Sequence, residues 1–262
     1  LYEVFGWEKP TYVHLPTVLN KDRKKLSKRQ GDVAVEDFRE KGYLPEGLVN
    51  YLALVGWSPE DNEEILSMEE LIDKFSFERV SKTGGIFDKD KLDWVNGHHI
   101  RSYDLDKLTK LAIPYLKEAG YIDDKIVEER YDWIKKIVET VEESISYLSE
   151  IVDKAEIFFN NEVKPENDEA LNMLKGEQVP KLLNAFREEL NQIEEVDEEF
   201  SNGIMKKIQK ATGIKGKNLF MPVRIALTGN SHGPELVNII YILGKQNILD
   251  RINHVEENYL KD

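Results

Sequence analysis

Apolar residues recur in alternating steps of four and three along one span: Val127, Tyr131, Ile134, Val138, Val141, Ile145, Leu148, Val152, Ala155 and Phe159. A mean step near 3.5 puts all of them on one side of a helix, whereas a strand repeats every two residues. Such a stripe must be covered by something. Two copies could pair as a coiled coil, or one long helix, or two in succession, could pack inside a bundle. The bundle is the expectation, and with it a monomer. Nearly every later segment also carries helical spacing, so the chain is expected to be mainly α.

The first hundred residues are mixed. "TYVHLPTVLN" reads as a short strand leading into a loop. "VEDFREKGY" follows, apolar at Val35 and Phe38 and stopped at Gly42. "LPEGLVNYLALVG" is a helix with Pro45 in its first turn, Leu48, Tyr51, Leu52 and Val55 as its buried stripe, and Gly56 at its end. Ser67 with Glu70 forms a capping box for "MEELIDKF". "GGIFDKDKLDWVNGHHIR" gives a tight turn, a strand-like piece and a helix. Further on, "NNEVKPENDE" at 160–169 breaks the stripe and reads as a boundary or linker. Helices are expected at 168–175, 179–191 and 201–211, with the acidic connector "EEVDEE" before the last. The expected division is 1–104, a helical domain with a few short strands, then two all-α bundle segments at 105–162 and 163–262.

No cysteine is present, which excludes disulfides and thiolate chemistry. No apolar run approaches the roughly 20 residues that cross a bilayer, and no basic-then-apolar signal segment opens the chain. No membrane partner and a cytoplasmic location are expected. The opening "LYEVFGWEKP" lacks an initiator methionine, as expected of a cut inside a longer protein or of processing.

With 36 basic and 50 acidic residues the net charge is −14, which disfavours indiscriminate nucleic-acid binding. The distribution is uneven. Residues 21–30 hold six bases (Lys21, Arg23, Lys24, Lys25, Lys28 and Arg29) against Asp22 alone. Residues 203–234 hold Lys206, Lys207, Lys210, Lys215, Lys217 and Arg224 and no acid. Such islands are often no more than solvated helix faces or loops, so local chemistry must decide.

Most catalytic patterns are missing. His98 and His99 are adjacent and cannot face one site on a helix. "GIKGKN" fails as a phosphate loop of the Walker type, since Ala211 and Asn218 stand where Gly and Ser/Thr are required. "GNSHG" lacks the strand–turn–helix context of a nucleophile elbow. The strongest lead is Lys25-Leu26-Ser27-Lys28, with Gly31 nearby. Two mobile ammonium groups beside a hydroxyl suit a polyphosphate, and Leu26 can anchor the loop.

In context, "LPTVLNKDRKKLSKRQGD" resembles the KMSKS-type loop of class I aminoacyl-tRNA synthetases, in the spelling of glutamyl-tRNA synthetases. Leu26 replaces the consensus Met and Arg29 the final Ser. "YLPEGLVNYLALVGWSP" resembles the family's helix after that loop. "GGIFDKDKLDWVNGHHIR" resembles the segment closing the stem-contact domain, and "GIKGKNLFMPVRIALTGNSHGPEL" the C-terminal anticodon-binding segment. The four stretches are collinear and reach both ends of the chain. The family's HIGH-type motif and Rossmann domain are not found; "HHI" at 98–100 is on the wrong side of the loop.

The resemblance implies the C-terminal, tRNA-binding half of a glutamate–tRNA ligase, which makes glutamyl-adenylate from L-glutamate and ATP and passes the glutamyl group to tRNA. Lys28 would stabilise the ATP phosphates, with Lys25, Ser27 and Arg29 supporting loop closure. ATP with Mg2+ belongs to the full-length enzyme. No tightly bound cofactor and no metal ligand are expected here, and any zinc site would lie upstream. Alone, the chain should not activate glutamate. Lys206, Lys207, Lys210, Lys215 and Lys217 would meet RNA phosphates, and Phe220, Arg224, Thr228 and His232 would stack on or bond to bases. Asn96 and Arg101 would face the tRNA stem or the missing domain. Glutamate tRNA is the expected partner, with glutamine tRNA left open. A glutaminyl enzyme would end in β-barrels, against the helical spacing after 105. A standalone helical tRNA-binding or scaffold module is the alternative.

Overall fold

The structure, a computed structural model, describes residues 1–27 and 34–260. It divides into two compact units, Leu1–Tyr103 with Ser146–Leu148, and Asp104–Ile145 with Ser149–Asp262.

The first unit holds α1 (Tyr2–Phe5), α2 (Val35–Lys41), α3 (Pro45–Gly56), α4 (Met68–Lys74) and α5 (Lys89–Arg101). Helices α3 and α5 form its main packing pair. Phe38, Tyr43, Leu48, Tyr51, Leu92 and Val95 make one core, with Phe87 and Tyr147 against it. Trp57, Leu66 and Leu71 make a second. Gly47 permits close approach of α3 to α5, because a Cβ there would collide with Asn96. Capping follows local chemistry. Ser67 and Glu70 exchange bonds of 3.2 and 2.8 Å at the start of α4, and Asp88 caps α5 through the Asp90 N–H at 3.0 Å.

Two expectations are corrected. The short strands reduce, among the described residues, to isolated bridges: Leu19 with Lys25, Leu19 with Ile86, and Trp57 with Val80. Each segment meets a partner for a single residue, too little for a ladder. In α3, Leu52 is 46 % exposed. The buried side instead takes in Gly47, Leu48, Asn50 and Tyr51, because Asn50 Oδ1 accepts the Leu66 N–H at 3.0 Å.

The second unit contains α6 (Leu105–Glu118), α7 (Asp124–Glu129), α8 (Tyr131–Val141), α9 (Ile151–Phe159), α10 (Asp168–Leu174), α11 (Val179–Leu190), α12 (Glu198–Thr212), α13 (Lys217–Thr228) and α14 (Leu236–Tyr259). Side-chain caps open four of these: Asp104, Asp123, Asn167 and Asp197 accept from the Lys107, Ile126, Ala170 and Phe200 N–H groups. Helices α6, α8 and α9 pack together, as do α10 to α14.

The apolar stripe that dominates the sequence is carried by α7, α8 and α9 in succession, with breaks at Arg130 and between α8 and α9. Tight turns at Glu142–Ser144 and Leu148–Glu150 interrupt it. Ser144 Oγ donates to the Val141 carbonyl at 2.8 Å, offering the backbone an alternative to the helical ladder. Ile145 and Leu148 are nevertheless buried. Helix α14 is also interrupted, at Gly244 (φ 68°, ψ 173°), where Trp133 Nε1 donates to the Ile242 carbonyl at 2.8 Å.

Candidate nucleic-acid interface and phosphate loop

The basic loop is tied down at its stem. Leu19 N–H donates to the Gly85 carbonyl and Phe87 N–H to that of Leu19, both at 2.8 Å. Across the loop, Leu26 N–H donates to the Val18 carbonyl at 3.1 Å and Asn20 N–H to that of Lys24 at 2.8 Å. Arg23 takes φ 59° at the tip, and Asn20 Oδ1 accepts the Lys24 N–H at 2.8 Å. Leu26 is half-buried, whereas Lys24, Lys25 and Ser27 are exposed.

The positive charges in this loop are not equivalent. Lys21 pairs with Asp90 at 3.0 Å and Asp88 at 3.5 Å, at the start of α5. The hydrogen bond to Asp90, then the charge of Asp88, hold its pKa above the ordinary lysine value. Among the described residues no carboxylate lies within ion-pair distance of Lys25. Lys28 and Arg29, the other two loop residues assigned a role from sequence, lie outside the described residues.

The second island sits on α12 and α13. Phe200, Ile204, Met205 and Ile208 bury one side of α12, leaving Lys206, Lys207 and Lys210 exposed. Lys207 is partly engaged, 3.1 Å from Glu189 and over the Phe200 ring. Gly213 ends α12 at φ 76° and Gly216 precedes α13 at φ 62°, with exposed Lys215 and Lys217 flanking that second glycine.

On α13 the spacing of three and four brings Lys217, Phe220, Arg224 and Thr228 onto one side. Leu219, Val223, Ile225, Ala226 and Leu227 are buried. Phe220 is 45 % exposed. Arg224 is half-buried; its Nη1 donates to the Pro234 carbonyl at 2.7 Å, and burial lowers its pKa. Thr228 Oγ1 donates to the Arg224 carbonyl at 2.9 Å and accepts from Asn230 N–H at 3.1 Å. The turn 229–234 thus folds back along Arg224, with His232 exposed on it.

Residues 160–166, which read as a linker, pack against this turn. Glu166 N–H donates to the Gly229 carbonyl at 2.9 Å, and Ser231 N–H to Glu166 Oε1 at 2.8 Å. Val163 is buried, and its carbonyl accepts from Tyr259 Oη at 3.0 Å. Sequence reasoning missed this strap and its partner Arg251, which is 1 % exposed. Only Val163, an isolated apolar residue among polar ones, hinted at burial.

Arg101 is half-buried in the last turn of α5, in the first unit. The assignment of Asn96 to an external surface is corrected. It is fully buried, accepting the Leu44 N–H at 2.9 Å and donating to the Ser146 carbonyl. Both ends of its amide serve the core. Among the described residues no group of three or more His, Cys, Asp and Glu side chains is placed to hold a metal ion.

A basic loop in one unit and a basic, aromatic-bearing helix pair in the other define a class of protein that comparison makes explicit. Residues 1–94 match the family of class I tRNA synthetases (E and Q), catalytic domain, and residues 107–256 match the anticodon binding domain family. The chain is 54 % identical over 260 residues to a glutamate–tRNA ligase of Alkaliphilus metalliredigens, and 53 % identical over 260 residues to one of Clostridioides difficile. In each case 99 % of this chain and 53 % of the relative is covered. A crystal structure of a glutamate tRNA ligase from Elizabethkingia meningosepticum, in complex with its amino acid, superposes with a TM-score of 0.81 at 26 % identity, covering 98 % of this chain and 53 % of that one. The chain belongs to the glutamate–tRNA ligase family, and it spans about half the length of the curated relatives it matches.

Proposed function

We propose that this chain is the tRNA-binding portion of a glutamate–tRNA ligase that activates L-glutamate with ATP and transfers it to the 3′ end of glutamate tRNA. Residues 1–104 supply the KMSKS-type loop and contacts to the tRNA stem, and 105–162 and 163–262 act as two anticodon-binding segments. The observation that carries the reading is the side of α13 bearing Lys217, Phe220, Arg224 and Thr228, set in a span without an acidic residue. An aromatic ring, a guanidinium and a hydroxyl along one helix can stack on and bond to unpaired bases while the flanking lysines meet phosphates. His232 would extend the surface, and Arg101 would serve the stem side.

Lys25 and Ser27 are exposed on a loop whose stem is fixed, so they can reach a triphosphate without unfolding the domain. Lys28 and Arg29 would join them. Mg2+ would arrive with ATP and contribute charge neutralisation there. The chain is proposed to work as a monomer in the cytoplasm.

The test is binding of the 262-residue chain to glutamate tRNA and to the same tRNA with a substituted anticodon. Anticodon substitution is expected to weaken binding, each lost base contact being worth about 1–3 kcal/mol. Equal affinity for both RNAs rejects the anticodon reading. For the loop, Lys25→Ala and Lys28→Ala in the full-length ligase should slow pyrophosphate exchange while leaving tRNA affinity in place.

A further inference from the structure

Arg251 is a buried cation. Among the described residues no carboxylate pairs with it, and burial lowers its pKa to about 10. Its fork is instead spread over three oxygens. Nη1 donates to the Leu227 carbonyl, Nη2 to the Asn160 carbonyl at 2.7 Å, and Nε to Asn161 Oδ1 at 3.3 Å. Leu227 lies in the last turn of α13 and Asn160 directly follows α9. Each helix end carries roughly half a negative charge, so two converging ends can offset one guanidinium. The site is satisfied only while both ends stay in place.

This geometry has a consequence for the surface. From Asn160 the strap continues to Glu166, which bonds to Gly229 and Ser231; from Leu227 the chain continues into the same turn. Gly229 adopts φ 77°, and a Cβ there would collide with the Lys164 carbonyl. Strap and turn therefore cannot shift independently. Arg251 holds the root of both.

We infer that Arg251 is a positioning residue for the turn 229–234, fixing through the strap and the end of α13 the conformation in which Arg224, Thr228 and His232 meet RNA. The RNA half of this inference rests on the function proposed above; the positional half does not. Lysine is a poor substitute, since one ammonium cannot span the three acceptors.

The experiment compares Arg251→Met, Arg251→Lys and Glu166→Ala in the 262-residue chain. Amide exchange at Asn230, Ser231 and His232 is expected to rise about tenfold in Arg251→Met, with Arg251→Lys in between, while Ile134–Val138 in α8 stay protected. Affinity for an anticodon stem–loop RNA should fall with the salt slope unchanged, because a buried guanidinium neutralises no phosphate. Glu166→Ala, at an exposed carboxylate, should speed exchange at Ser231 without touching the core. Unchanged exchange at 230–232 in Arg251→Met overturns the inference, whatever Glu166→Ala does. So does a uniform loss of protection across all helices, which marks general destabilisation, or a salt slope reduced by about one, which marks a direct phosphate contact. If the unsubstituted chain fails to bind the stem–loop, the proposed function falls, and exchange alone decides the role of Arg251.

Discussion

Asn96 commits both ends of its amide to the first unit, bonding the Leu44 N–H and the Ser146 carbonyl at a fully buried position. Asn96→Ala would strand both groups, at a cost of about 2–4 kcal/mol. Urea denaturation should show that loss, while RNA affinity of the folded fraction stays as it was. His99 makes a pH prediction. Its Nε2 lies 2.9 Å from Asn50 Oδ1, and burial lowers its pKa below the usual 6.5, with Glu46 opposing and His98 adding to that shift. Below pH 6.5 the unfolded chain takes up the proton more readily than the folded one. Stability should therefore be fully present above pH 6.5 and decline as pH falls toward 5. A stability profile in which His99→Gln shows the same decline would reject this assignment. Neither role was readable from sequence. A polar residue on a helix looks alike whether it faces solvent or a buried carbonyl, and only packing distinguishes them.

Helix α13 shows what a single element can reveal. Its first turn carries Lys217 and no acid, whereas α12 begins with Glu198 and Glu199. A cation at a helix N-terminus is placed against the macrodipole, at a cost of about 0.3–1 kcal/mol. Lys217→Glu should accordingly raise the melting temperature of the chain while weakening its binding to tRNA. Tighter or equal RNA binding in that variant would remove Lys217 from the interface. The helices themselves were largely legible, because caps and stop signals are local: Ser67 with Glu70, Asn167 before α10 and Gly213 after α12 all act within one turn. Two features were not. The stripe from 127 to 159 kept its apolar period through a break, because Ile145 and Leu148 are buried without belonging to an α-helix. The strap at 160–166 looked like a linker because its partners, Gly229, Ser231, Arg251 and Tyr259, are distant in sequence.

Across the whole molecule, a charge of −14 coexists with an acid-free span of six bases. Overall repulsion should keep affinity for random duplex DNA low, while local cations still bind tRNA. Replacing Lys206 and Lys210 together with alanine should reduce the salt slope of tRNA binding by about two, with weakening that is uniform across anticodons. A slope unchanged by both substitutions would place the RNA elsewhere. By itself the sequence determined the helical class, most helix ends and the family resemblance, because periodicity, capping and collinear motifs are written in near neighbours. Tertiary structure alone decided that Lys21 is paired while Lys25 meets no carboxylate among the described residues, that Asn96 is internal, and that Arg251 joins two helix ends. Those outcomes depend on which distant groups share a low-dielectric space, and spacing along the chain carries no record of that.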